Sequence, residues 1–257
     1  MSYLIAITGK GGVGKTTISA IIVKRLIKKG CKPILAIDAD PNTCLDTMLG
    51  VKAVKSVGRV REEAREIAGK GLSAGTSKQE LLEMKIAESL VESEDFDLIA
   101  MGRSEGPGCY CYANNVLRSV IGEISVNYPY IVLDNEAGLE NLSRRIVQEV
   151  DVLVMISDPS NRGIETIKRL YDLSHEMGIR YRKLVFIVNR VRNHFPGSVE
   201  LLNADFLVSL PENSEIIELS EGHQNISELQ EDNPVVTKID ELLDKLISVS
   251  SMNKHQL

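Results

Sequence analysis

No apolar run in the 257-residue sequence approaches the ~20 residues that a bilayer-spanning helix needs, so no membrane partner is expected. Four cysteines are too few for a disulfide scaffold in a chain of this size and predict a reducing, cytoplasmic setting. Positive charge is not in excess. Thirty Lys and Arg against 36 Asp and Glu leave a net charge of −6, which argues against holding nucleic acid by bulk charge. The opening Met-Ser-Tyr-Leu-Ile-Ala-Ile-Thr has no basic region, long apolar core or small-residue cleavage site, and reads as a strand. No internal repeat, low-complexity tract or Pro/Ser-rich linker divides the chain. Its length permits a sizeable core without disulfide or metal staples, and one domain over residues 1–257 is expected.

Short β-branched runs alternate with longer segments of helical period. That pattern predicts an α/β fold: a mostly parallel, doubly wound sheet flanked by helices. The expected strands are Leu4–Thr8, Pro33–Ile37, Asp97–Met101, Tyr130–Asp134, Val152–Ile156, Lys183–Val188 and Phe206–Leu210. Several are apolar throughout, as when helices cover both faces. Thr16–Lys29 places Ile18, Ile21, Ile22 and Leu26 on one helical face and ends before Gly30. Further helices are expected over Lys78–Leu90, Asn161–Met177 and from Pro234 onward, the last as a C-terminal cover near residues 234–251. Val51–Gly75, rich in Lys, Arg and Glu, reads as a polar, mobile insertion.

After the first strand comes Gly9-Lys10-Gly11-Gly12-Val13-Gly14-Lys15-Thr16-Thr17, a G-x-x-x-x-G-K-[ST] loop between a strand and a helix. Glycines let the backbone wrap an anion so that several N–H groups point at phosphate oxygens. The helix starting near Lys15 adds the positive end of its dipole. Gly11, Gly12, Val13 and Gly14 are therefore expected to cradle phosphate. Lys15 would bridge the β- and γ-phosphates, Thr16 would ligate Mg²⁺, and Thr17 would touch the α-phosphate.

Lys10 makes the loop K-G-G-x-G-K-T-T. This resembles the deviant P-loop of the family containing nitrogenase iron protein, the Min and Par ATPases and several metal-cluster assembly ATPases. The resemblance implies the P-loop NTPase fold, Mg²⁺-dependent conversion of ATP to ADP, and a homodimer in which Lys10 reaches the partner's phosphates. Three more segments fit that frame. In Asp38-Ala39-Asp40-Pro41, Asp40 matches the residue that orients or deprotonates the attacking water and Asp38 supports the Mg²⁺ shell; an Asp-Pro turn without chemistry is the alternative. Asp134, closing an apolar strand before Asn135-Glu136-Ala137-Gly138, can hold Mg²⁺ through its water. Asn189 matches the position that recognises adenine, and Pro211 the segment lying along the base.

Cys109 and Cys111 sit in Gly106-Pro107-Gly108-Cys109-Tyr110-Cys111-Tyr112, just before a helix expected from Ala113. A helix N-terminus lowers thiol pKa and favours the metal-binding thiolate. Two thiolates cannot close a tetrahedral site, but a two-fold dimer supplies four. Ni²⁺ or Zn²⁺ shared by two subunits, a bridging iron–sulfur cluster and a redox pair are the competing readings. Cys31 and Cys44 read as small buried hydrophobes.

Together these motifs resemble the CooC-type nickel-insertion ATPases that mature carbon monoxide dehydrogenase. The resemblance implies ATP-driven delivery of Ni²⁺, with carbon monoxide dehydrogenase or acetyl-CoA synthase as client. A Min/Par-type spatial organiser and an iron–sulfur electron-transfer ATPase are the rivals.

Overall fold

The computed structural model describes residues 2–42, 44–70, 77–102, 122–139, 149–192, 203–222 and 224–253. Eight strands share one sheet: β1 (Tyr3–Gly9), β2 (Ile34–Asp38), β3 (Val91–Glu92), β4 (Phe96–Ala100), β5 (Tyr130–Asp134), β6 (Glu149–Ser157), β7 (Arg180–Val191) and β8 (Phe206–Pro211). Their order is β3-β4-β2-β5-β1-β6-β7-β8, with every pairing parallel except β3 with β4. The described helices are α1 (Lys15–Lys28), α2 (Leu45–Leu49), α3 (Val57–Lys70), α4 (Lys78–Ala87), α5 (Asn161–Glu176), α6 (Ser214–Glu221) and α7 (Pro234–Asn253).

Strand alternation sorts side chains into two cores, one on each face of the sheet. Leu4 and Ala6 join Leu133, Leu153 and Phe186 beneath Val57, Leu81, Ile164 and Ile167 of α3, α4 and α5. Ile5 and Ile7 join Val132, Val154 and Ile187 beneath Ile18, Ile21 and Ile22 of α1 and Ile239 and Leu243 of α7. Burial on both faces explains why these strands are apolar at every position. Each fully buried Leu, Ile or Phe contributes about 1.5–3 kcal/mol.

Part of the Val51–Gly75 stretch, read from its composition as a polar, mobile insertion, is helical. Its middle is α3, where Val57 and Val60, one turn apart, are buried with Leu81 and Ile86 of α4. Two apolar side chains on one helical face outweigh the polar composition around them. The reading of Cys44 is corrected: it is exposed, because α2 begins only at Leu45 and leaves it at the cap position. Cys31 is half-buried against the α1-side core. Strand β7 runs further at both ends than Lys183–Val188, and α6 and the short edge strand β3 were not foreseen. The helix expected from Ala113 lies outside the described residues.

Candidate nucleotide site at the carboxyl ends of the central strands

Strands β1, β2 and β5 end side by side, and the loops that follow them build one site. Between β1 and α1 the chain turns through Gly12 at φ +79° and Gly14 at φ +92°, a region that side-chain-bearing residues rarely enter. A Cβ on Gly12 would meet nothing within 4 Å, so the loop is open on that side. No side chain caps α1 at Gly14, which leaves its first-turn N–H groups available to an anion. Lys15 is buried, and its Nζ donates to the Lys10 carbonyl at 3.2 Å, while the Lys10 side chain is exposed. Thr16 is half-buried and Thr17 buried.

Asp38 and Asp134 are register partners at the ends of β2 and β5, and both are fully buried. Burial pushes the Asp38 carboxyl up to about 6. Burial, and then the neighbouring Asp38 charge, push Asp134 to about 7. Their surroundings differ. Asp38 accepts the Asp40 and Leu45 backbone N–H groups, both at 3.0 Å, and so clamps the loop between β2 and α2. Asp134 accepts the Ser19 hydroxyl through Oδ1 at 3.0 Å, with the Thr16 hydroxyl close by. Its buried Oδ2 has no hydrogen-bond partner among the described residues. A buried, unpartnered carboxylate oxygen beside a hydroxyl is an all-oxygen donor set of the kind a hard cation such as Mg²⁺ takes, the remaining ligands coming from phosphate and water. No group of three or more His, Cys, Asp or Glu able to hold a metal by themselves occurs among the described residues.

Asp40 is half-buried in the clamped loop, its Oδ1 accepting the Asn42 N–H at 2.8 Å across Pro41. Beside β5, Asn135 donates from its backbone and from Nδ2 to the Ile7 carbonyl, each at 3.0 Å, and its buried Oδ1 has no partner among the described residues. Thr8 Oγ1 donates to the Gly138 carbonyl at 2.5 Å, tying the end of β1 to the loop after β5.

An open cleft continues from the loop toward β7 and β8, with Gly14, Thr17, Asn189, Pro211, Ile217 and Ser220 among its lining. It brings together Asn189 and Pro211, which are distant in sequence. Asn189 Nδ2 donates to the Val13 carbonyl at 2.9 Å, and its Oδ1 accepts the Arg190 N–H at 3.0 Å. One N–H and one lone pair of that amide are left for a ligand. Arg190 adopts φ +60° where the β7–β8 register breaks between Val188 and Val191, a kink that turns the chain around the cleft. Cys109 and Cys111 lie outside the described residues.

Sequence reasoning missed Ser19, Asn135's double bond to Ile7, Thr8 and the α6 wall. Ser19 carries a faint signal: a polar residue one turn beyond Lys15, on a helix face that continues as Ile22, Val23 and Leu26.

A phosphate loop opening onto the carboxyl edge of a mostly parallel sheet defines a P-loop ATPase fold. The AAA domain family matches residues 2–184, and the chain belongs to it. It is 40% identical to an uncharacterized ATP-binding protein of Methanocaldococcus jannaschii, over 95% of this chain and 98% of that one. It is 30% identical to the carbon monoxide dehydrogenase accessory protein CooC of Rhodospirillum rubrum, over 82% and 84% of the two chains. The solved MinD cell division protein of Aquifex aeolicus superposes with a TM-score of 0.68 at 25% identity, over 96% and 97%. No described helix is long and apolar enough to cross a membrane.

Proposed function

We propose that this chain is a single-domain, cytoplasmic, Mg²⁺-dependent ATPase that works as a homodimeric metallochaperone. Its cargo is Ni²⁺ or Zn²⁺ held by Cys109 and Cys111 of two subunits, and its client is carbon monoxide dehydrogenase or acetyl-CoA synthase. The ATPase half of the reading rests on one observation above the others: the unpartnered Asp134 carboxylate oxygen beside Thr16 and the uncapped start of α1. The cargo half is supported by the likeness to the CooC accessory protein and by the Cys109/Cys111 spacing.

In this reading the loop amides from Gly11 to Gly14 and the Lys15 ammonium hold the phosphates, and Thr17 reaches the α-phosphate. Thr16 and Asp134 hold the cation, which when bound neutralises charge developing on the phosphates. Asp38 fixes the loop that carries Asp40, and Asp40 orients the attacking water. Lys10 serves the partner's nucleotide, which makes the site complete only in the dimer. Asn189 and Pro211 face the adenine.

A hydrogen-bonded path supports coupling between phosphate and cargo. The Met101 N–H donates to the Asp38 carbonyl at 2.8 Å, and the Gly58 N–H donates to the Met101 carbonyl at 2.9 Å. From Met101 the chain runs on to Cys109 and Cys111. Hydrolysis that loosens the Asp40 loop would then alter the geometry of the cysteine segment and release the ion.

The double variant Cys109→Ser/Cys111→Ser tests the cargo: it should lose stoichiometric metal while ADP affinity stays at the parent value. Retained metal refutes the shared thiolate site. The likeness to MinD favours a second reading, a Min/Par-type spatial organiser. Tight ATP-dependent binding to liposomes or DNA would select that reading. Stoichiometric iron and sulfide in an anaerobic preparation would select an electron-transfer ATPase instead.

A further inference from the structure

Helix α6 forms one wall of the cleft, yet of its eight residues only Leu219 is buried. So little apolar area leaves its position largely to polar ties: Ser220 Oγ meets Thr17 Oγ1 of α1 at 3.3 Å near its end, and the rest lie at its start. The ties at the start converge on Asn233, which is only 3% exposed and lies outside the cleft lining. Its Nδ2 donates to Asn213 Oδ1 at 3.2 Å and to Glu215 Oε2 at 2.7 Å. The same Asn213 oxygen caps α6 by accepting the Ile216 N–H at 3.1 Å. The Asn233 Oδ1, in turn, accepts the Val235 N–H at 3.0 Å and caps α7.

The far end of this chain of contacts is rigid. Helix α7 buries Ile239, Leu242 and Leu243 and is joined to α1 through Arg25 with Asp240 and Lys29 with Asp244. Asn233 therefore transfers the position of α1, which carries Lys15, Thr16 and Thr17, to the opposite wall. Capping α7 does not by itself demand asparagine, since Asp or Ser caps a helix as well. Accepting one N–H while donating two does demand an amide.

We infer that Asn233 is a positioning residue for the nucleoside end of the bound nucleotide, setting the distance between α6 and the phosphate-loop helix. This rests on the nucleotide-binding reading above. It separates two kinds of ligand: one that fills only the phosphate loop is indifferent to Asn233, and one that also spans the cleft depends on it.

The test compares ADP with inorganic tripolyphosphate by calorimetry on the full chain. Asn233→Asp keeps the α7 cap but turns a carboxylate toward the Asn213 oxygen and the Glu215 carboxylate. Asn233→Ser keeps the cap and removes both donors without adding charge. Either should weaken ADP roughly ten-fold, the loss of buried bonds to a carbonyl and a carboxylate, and leave tripolyphosphate at the parent affinity. In Asn233→Asp/Glu215→Gln the new amide donates to the new carboxylate, and ADP affinity should partly return. Unchanged ADP binding in both single variants, or equal losses for both ligands, overturns the inference while leaving the nucleotide reading intact. A parent chain that does not bind ADP overturns both.

Discussion

Replacing Asp134 by Asn should make the ligand-free protein more stable and worse at binding its cation. Burial and the Asp38 charge raise Asp134 from 3.8 to about 7, so the native state holds a proton that the unfolded chain has released. Between those two values the folded form binds more protons, and unfolding free energy falls as pH rises. Above about 7 the full cost of an ionised, half-satisfied carboxylate is present; below 3.8 it is absent. A rise of about three pKa units at about 1.36 kcal/mol each puts the cost on the order of 4 kcal/mol. An Asn keeps the Oδ1 that accepts Ser19 and carries no charge. Urea denaturation of both proteins from pH 5 to 8.5, without nucleotide or divalent cation, should show the variant's advantage widening by roughly 3 kcal/mol up to neutrality and then levelling. The same variant should bind ADP normally in EDTA but lose the gain that Mg²⁺ confers. An advantage that does not change with pH, or a variant less stable than the parent at pH 8, would refute the assignment of Asp134 as a carboxylate kept unpaired for a cation.

Other sites give sharper failures. Lys15→Ala should abolish hydrolysis together with nucleotide affinity, whereas Asp40→Ala should bind ATP and fail to turn it over; near-normal steady-state turnover in either removes that residue from the site. Gly14→Ala should cost about 1–3 kcal/mol in denaturation and weaken nucleotide binding, because its φ is +92° and the new Cβ would sit 2.7 Å from Asn189 Nδ2. A neutral Gly14→Ala would mean that the loop relaxes freely and that Asn189 is not braced against it.

Much of the frame is readable from local pattern alone. Strands buried on both faces announce themselves as apolar runs, as in Ile131–Leu133 and Val152–Ile156, and the phosphate loop does so because its glycines and lysine are contiguous. What resisted reading depends on register and on long-range contact. Nothing in the sequence sets Asp38 against Asp134; the β2–β5 pairing does. Nothing near Val57 announces that it and Val60 pack with Leu81, so the polar composition reads as an insertion where the chain forms a helix. Cys44 reads as buried from its residue type alone, but it falls at the cap position one residue before α2 and is exposed. The α6 wall is held by Asn213, Glu215, Asn233 and Ser220, polar residues with no periodicity to mark them. Cys109 and Cys111 are the reverse case: their spacing carries a chemical meaning that lies outside the described residues.

The central claim is that nucleotide state governs a metal ion shared by two chains. Anaerobic titration of the purified full chain with Ni²⁺, in the presence of ATP, ADP or no nucleotide, measures it directly. The account predicts about one tightly held ion per two chains in a nucleotide-bound dimer, weakened when ATP is hydrolysed and absent from the Cys109→Ser/Cys111→Ser variant. One ion held equally tightly by each single chain, whatever the nucleotide, would contradict it.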